Sequence, residues 1–132
     1  MSARDRPMVK ARPVYLNLLQ IRLPLPGVVS IVHRISGAVL FLFGIALVLI
    51  GLQLSLVSPD SFASLKAAVA HPLAKLVLIG FIWAYLHHFC AGIRYLFLDL
   101  DKGVELKLAR QSGVIVLVAS LAFTAMVGVR LW

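Results

Sequence analysis

The chain has 132 residues, 61% of them apolar, with only 14% charged and a mean hydropathy of +0.99. A charged content so far below the soluble average of about 25% excludes an ordinary water-soluble domain and points to one short integral membrane protein. Thirteen Lys and Arg against five Asp and Glu give a net charge of +8, yet the cations flank apolar runs and form no polar groove, so membrane orientation is read in preference to nucleic-acid binding.

Residues 1–27 form a basic leader holding Arg4, Arg6, Lys10, Arg12 and Arg22, opposed by Asp5 alone. Pro7, Pro13, Pro24 and Pro26 oppose a long helix, because each lacks a donor and restricts the residue before it. Residues 12–27 are therefore expected as extended chain on the membrane face, touching it through Tyr15, Leu16, Leu18, Leu19 and Ile21. Residues 1–11 read equally as a basic tail. The leader has no apolar core of the signal-peptide kind, so the first span is expected to be retained.

The first span is placed at about 28–57. Residues 35–52 contain one hydroxyl and no charge, which meets the requirement of about 20 apolar residues for a crossing. Ser58-Pro59-Asp60 then has the order of an N-cap, a proline at the first helical position and an acid in the first turn. It opens a short amphipathic segment at 61–70. The second span is placed at about 72–98 and a charged loop at 100–111. The third span, about 112–131, is apolar apart from Ser120, Thr124 and Arg130, with Gly113, Ala119, Ala122, Ala125 and Gly128 expected to let helices approach closely. The expected fold is an all-α membrane protein, a single anchor domain of three transmembrane helices.

Cations set the orientation. Six lie in the leader through Arg34, four between Arg94 and Arg110, and three elsewhere, at Lys66, Lys75 and Arg130. Leader and second loop are thus expected in the cytoplasm and the C-terminus outside.

Two polar clusters interrupt this pattern. In Ser30-Ile31-Val32-His33-Arg34-Ile35-Ser36-Gly37, the residues Ser30, His33, Arg34 and Gly37 fall at i, i+3, i+4 and i+7 and share one helix face. In the second span, His88, Gly92 and Tyr95 share a face, while His87, Ala91 and Arg94 form a stripe about 100° around the helix. Antiparallel first and second spans bring both clusters to the same depth, with His88 roughly 9 Å deeper than Arg94 at 1.5 Å per residue. Ionisable groups at membrane depth are costly and indicate function. A buried imidazole with a glycine one turn on suits a b-type haem, whose propionates arginines at the rim can pair. From spacing alone, a packing histidine hydrogen-bonded to a neighbouring helix is an equal reading of His88, and His87 reads as a packing or supporting group. Ser30 and Arg34 offer a hydroxyl and a fixed cation one turn apart, suited to a quinone carbonyl that gains negative charge on reduction. An arginine reaching lipid phosphate beside a serine near the helix start is the competing reading. His71 has no assigned role. Cys90 is the only cysteine, so no internal disulfide, no Cys-x-x-Cys pair and no covalent haem attachment is available.

At these residues the chain resembles the cytochrome b membrane-anchor subunits of succinate dehydrogenase, respiratory complex II. One family signature is matched by Arg12-Pro13-Val14, Leu18, Leu25, Ser30, His33-Arg34 and Ser36; the other by His88, Gly92-Ile93-Arg94 and Asp99. Tyr95 stands where the family has His or Phe, and Leu98 where it has a larger aromatic or Met. The resemblance implies that His88 is an axial ligand of haem b, with the second axial histidine supplied by another small membrane-anchor subunit. It implies that Ser30 and Arg34 line the ubiquinone site, and that His33 and Arg34 lie near the haem propionates. Further implied partners are an iron–sulfur subunit, a flavoprotein subunit and membrane lipid; a short chain with no long presequence is expected as a multi-pass protein of a bacterial inner membrane. The chain has neither a dinucleotide fingerprint nor iron–sulfur cysteines with which to oxidise succinate itself. An anchor of a quinol:fumarate reductase and a cofactor-free structural anchor are the alternative expectations.

Overall fold

The structure, a computed structural model, describes residues 22–132. The leader expectations for residues 1–21, including Arg12 and the contacts from Tyr15 to Ile21, lie outside them. Every regular element described is helical: α1 (Leu25–Val39), a π-helical turn (Leu40–Gly44), α2 (Ile45–Val57), α3 (Pro59–Ala70), α4 (Pro72–Asp99) and α5 (Leu106–Leu131).

Helix α1 begins earlier than the prolines suggested. Pro24 is extended (φ −65°, ψ 154°) and acts as the N-cap, and Pro26 sits in the first turn of α1. There a missing N–H costs nothing, because the first helical N–H groups have no intrahelical acceptor anyway. The expected boundary at Gly27 is therefore too late: Leu25, Pro26 and Gly27 are already helical. Through the π turn, α1 and α2 make one 33-residue apolar rod, Leu25–Val57. At 1.5 Å per residue it is about 50 Å long, well beyond a hydrocarbon core of about 30 Å.

The turn at Ser58 follows the expected chemistry. Ser58 Oγ accepts from the Ser61 N–H and Ser61 Oγ accepts from the Ser58 N–H, both at 3.1 Å, which closes a capping box on α3. His71 acquires a role that the sequence did not suggest. Its Nδ1 accepts from the Leu73 N–H at 3.2 Å, capping α4 just before Pro72. Between α4 and α5 the chain turns through Asp101 (φ 56°) and Gly103 (φ 77°), both left-handed. Helix α5 then starts at Leu106, not at the apolar boundary near 112. Lys107, Leu108, Ala109 and Arg110 are strong helix formers, so the helix continues past the segment that hydropathy marks.

Three helical rods, Leu25–Val57, Pro72–Asp99 and Leu106–Leu131, are long and apolar enough to cross a membrane. Helix α4 is central: α1 and α5 both pack on it, and on each other, whereas α2 leans mainly on α3. The core is small. Val29 from α1, Ala91 from α4 and Val116 from α5 are its apolar centre. A Cβ on Gly113 would sit 3.6 Å from Val29 Cγ2 and 3.7 Å from Leu25 Cδ2, so the glycine of α5 faces α1. The buried line of α5 is Gly113, Val116, Ser120 and Thr124, whereas Ala122 and Ala125 face outward. Hydroxyls can occupy that line because their own helix satisfies them: Ser120 Oγ donates to Leu117 O (3.0 Å) and Thr124 Oγ1 to Ser120 O (2.7 Å). No residue of α2 is buried within the chain, so its Leu, Ile and Val side chains are left for lipid or for another chain.

Candidate functional site

The site lies where α1 crosses α4. The helices are antiparallel, with His33 beside Tyr95, Gly37 against His88 and Gly44 against Phe81. The closest approach is at Gly37. A Cβ built there would stand 2.8 Å from His88 Cε1 and 3.2 Å from Nδ1, so only glycine lets the imidazole lie flat on the α1 backbone. The ring is further fixed by two contacts from its Nδ1, at 3.1 Å to the His33 carbonyl and 3.3 Å to Ser36 Oγ. Ser36 spends its own proton on the same carbonyl, at 2.9 Å. We assign the imidazole proton to Nδ1 on this network, because both neighbours can then accept from it. Nε2 is left as a lone-pair donor without a protein partner among the described residues, on a half-buried side chain.

The ring of His33 stacks on that of His88, centroids 4.2 Å apart and planes 13° from parallel, and Tyr95 leans on His33 at 5.0 Å. Gly92, expected to make room beside His88, instead faces His33, whose Nε2 would be 3.9 Å from a Cβ there. Gly37 is the glycine that His88 needs. Ser30 is half-buried and Arg34 exposed, one turn apart on α1, and neither hydrogen-bonds another described residue through its side chain. The structure thus gathers His33, Ser36, Gly37, His88, Gly92 and Tyr95 into one contact set. It leaves Ser30 and Arg34 beside that set, their side-chain polar atoms without a hydrogen-bond partner among the described residues.

The stripe of His87, Ala91 and Arg94 turns inward, toward α5. His87 is completely buried, tilted against Trp83 at 5.5 Å, and neither ring nitrogen has a protein partner among the described residues. Arg94 is 7% exposed and ties the two helices, with Nε donating to Ser112 Oγ (2.9 Å) and Nη2 to Ala109 O (3.2 Å). Among the described residues no group of three or more His, Cys, Asp or Glu is arranged to hold a metal ion by protein ligands alone. The α1–α4 contact offers the seated His88 ring with its Nε2 free, and beside it the His33 ring, whose nitrogens have no hydrogen-bond partner among the described residues.

A family model described as succinate dehydrogenase/fumarate reductase transmembrane subunit matches residues 8–127. The chain belongs to this family. Among similar proteins, the succinate dehydrogenase cytochrome b556 subunit of Paracoccus denitrificans is 34% identical over 115 residues, 87% of this chain and 88% of the relative. The b556 subunit of Coxiella burnetii is 36% identical over 122 residues, 92% and 97% of the two chains. The mitochondrial b560 subunit of Sus scrofa is 32% identical over 116 residues. The resemblance read from the two motifs is borne out, and membership with three apolar rods makes this a multi-pass membrane subunit of the cytochrome b kind.

Within this family member, sequence reasoning missed two residues that hold the His88 ring. Ser36 was quoted only as part of a motif, although a serine three residues after His33 in an apolar run is a signal for a buried hydroxyl. Gly37 was assigned to the Ser30 face, and nothing in one sequence says which helix a glycine faces. The His33 backbone carbonyl leaves no sequence signal of its own.

Proposed function

We propose that this chain is the cytochrome b anchor of a succinate dehydrogenase, in which His88 Nε2 is one axial ligand of a haem b and Ser30 and Arg34 bind the quinone that receives electrons. The observation behind this reading is the seat of His88. A ligating histidine needs its second nitrogen tied to a carbonyl or carboxylate to fix tautomer and ring plane, and here the His33 carbonyl and Ser36 supply that tie. A b-type haem held there supplies reversible one-electron storage.

The other axial ligand belongs to a partner subunit on this reading. His33 stacks face to face on His88, which supports a place for it beside the haem, not as a second residue holding the iron. Its remaining use is at the haem edge, near the propionates with Arg34, and Tyr95 packs beside it. On α1, Arg34 offers a guanidinium and Ser30 can donate from one turn away. Together they would stabilise negative charge arriving on a quinone carbonyl oxygen without having to reorganise.

This division of labour leaves succinate oxidation to a flavoprotein subunit and electron relay to an iron–sulfur subunit, with a second small anchor beside this one. The cation distribution supports a cytoplasmic leader and 100–105 loop and an outward C-terminus, and the bacterial relatives support residence in a bacterial inner membrane. The relatives similar to it are named for succinate dehydrogenase, and no observation favours the fumarate-reducing direction or a cofactor-free tether.

The test is His88→Leu in the assembled complex. The expected result is loss of the b-type signal from the reduced-minus-oxidised spectrum, with the subunits still copurifying. An undiminished spectrum would remove the ligand assignment.

A further inference from the structure

On the far side of α4 from the α1 contact, a groove of about 490 Å³ runs between the C-terminal part of α4 and the first turns of α5. Its walls are apolar, including Ile93, Phe97 and Ile115, and its head is polar, with Arg94, Lys102 and Gln111. None of the nearby carboxylates, Asp99, Asp101 and Glu105, lines it. The head is therefore cationic and the body greasy.

Arg94 makes this more than a surface crevice. The residue is 7% exposed, and the two hydrogen bonds of its guanidinium go to neutral acceptors, a serine hydroxyl and a carbonyl. Among the described residues no carboxylate offsets its charge, and Nη1 has no protein acceptor. A buried cation without a counter-charge is costly, and an anion reaching it removes much of that cost. The first turn of α5 borders the same groove and has no side-chain cap, so its leading N–H groups are open at the cationic end.

We propose that this groove binds one anionic glycerophospholipid. Its phosphate would meet Lys102, Gln111 and the free edge of Arg94, and an acyl chain would lie along Ile93, Phe97 and Ile115. Charge complementarity selects this occupant. A zwitterionic lipid would bring its own cation to a head that already has two, and an apolar helix would leave Arg94 unmatched. Basic recesses between transmembrane helices near a membrane surface recognise anionic headgroups by this combination of charge and depth. The inference is independent of the haem and quinone assignments.

The experiment uses the intact complex, purified from membranes in neutral detergent and offered equimolar phosphatidylglycerol and phosphatidylcholine. Native mass spectrometry counts the lipid retained. Wild type should keep one phosphatidylglycerol with a preference on the order of tenfold over phosphatidylcholine. Arg94→Gln combined with Lys102→Gln should abolish that preference. Because Arg94 also ties α4 to α5, two variants of exposed side chains keep the test decisive: Lys102→Glu should weaken phosphatidylglycerol selectively, and Ile115→Trp should block either lipid. Equal retention of both lipids by wild type overturns the proposal. So does unchanged retention in Lys102→Glu and Ile115→Trp, or crosslinking of another subunit into the groove from position 115.

Discussion

Replacing Gly37 by Ala adds one methyl group at the narrowest point between α1 and α4. The new Cβ would lie 2.8 Å from His88 Cε1, against about 3.5 Å for an unstrained carbon–carbon contact. The ring must retreat by roughly 0.7 Å or more, or the helices must part by as much. The Nδ1 contacts begin at 3.1 Å and 3.3 Å, so that displacement takes them to or past hydrogen-bonding range. Overpacking costs about 1–3 kcal/mol and the weakened hydrogen bond about 1 kcal/mol, while alanine returns up to about 1 kcal/mol of helix propensity. The net destabilisation is then about 1–3 kcal/mol. The assay is thermal melting of the purified complex followed through its helical signal and, separately, through the haem absorbance. Gly80→Ala is the matched control, since nothing lies within 4 Å of a Cβ there. Gly37→Ala should lower the melting temperature and loosen haem, and Gly80→Ala should do neither. If Gly37→Ala melts and absorbs like Gly80→Ala, the seat described for His88 is wrong.

Arg34→Leu should cut succinate-dependent quinone reduction by about tenfold to a hundredfold, the worth of one charged hydrogen bond, while succinate oxidation by a soluble dye is spared. Equal retention of both activities would take Arg34 out of the quinone site. Ser58→Ala removes one half of the capping box and should cost the start of α3 about 0.5–2 kcal/mol, read as faster amide exchange at residues 59–62 with the rest of the chain unchanged. A reporter fused after Trp132 should be active on the outer side of the membrane, and activity on the cytoplasmic side would invert the topology.

The helical plan was open to reading because hydropathy and capping are local properties. Three apolar runs and the Ser58-Pro59-Asp60 cap gave three crossings and a surface helix with no tertiary knowledge. Helix ends were less open. Pro26 was taken as a break because its donor is missing, but at the start of a helix that donor has no use. The start of α5 was taken from where apolarity begins, but Leu106 to Gln111 are helical too, being good helix formers that Arg94 holds through the Ala109 carbonyl. The site divides in the same way. His88 and His33 announce themselves as imidazoles in an apolar run. What seats them, a glycine on the opposing helix and a backbone carbonyl, depends on which faces meet. That is why Gly92 was credited with the role Gly37 has. The buried hydroxyls of α5 were passed over for the same reason: Ser120 and Thr124 look polar in a list and are self-satisfied in the helix.

The π turn at Leu40–Gly44 gives the first rod a phase break at mid-length. Above an unbroken α-helix, a widened turn inserts one additional residue, so side chains beyond it are rotated relative to those before it. The His33–Gly37 end can thus be clocked against α4 while the α2 end is clocked against α3 and its surroundings, each without detuning the other. Excising a single residue between 40 and 44 would couple the two halves again, and one of them would have to turn the wrong side chains toward its neighbour.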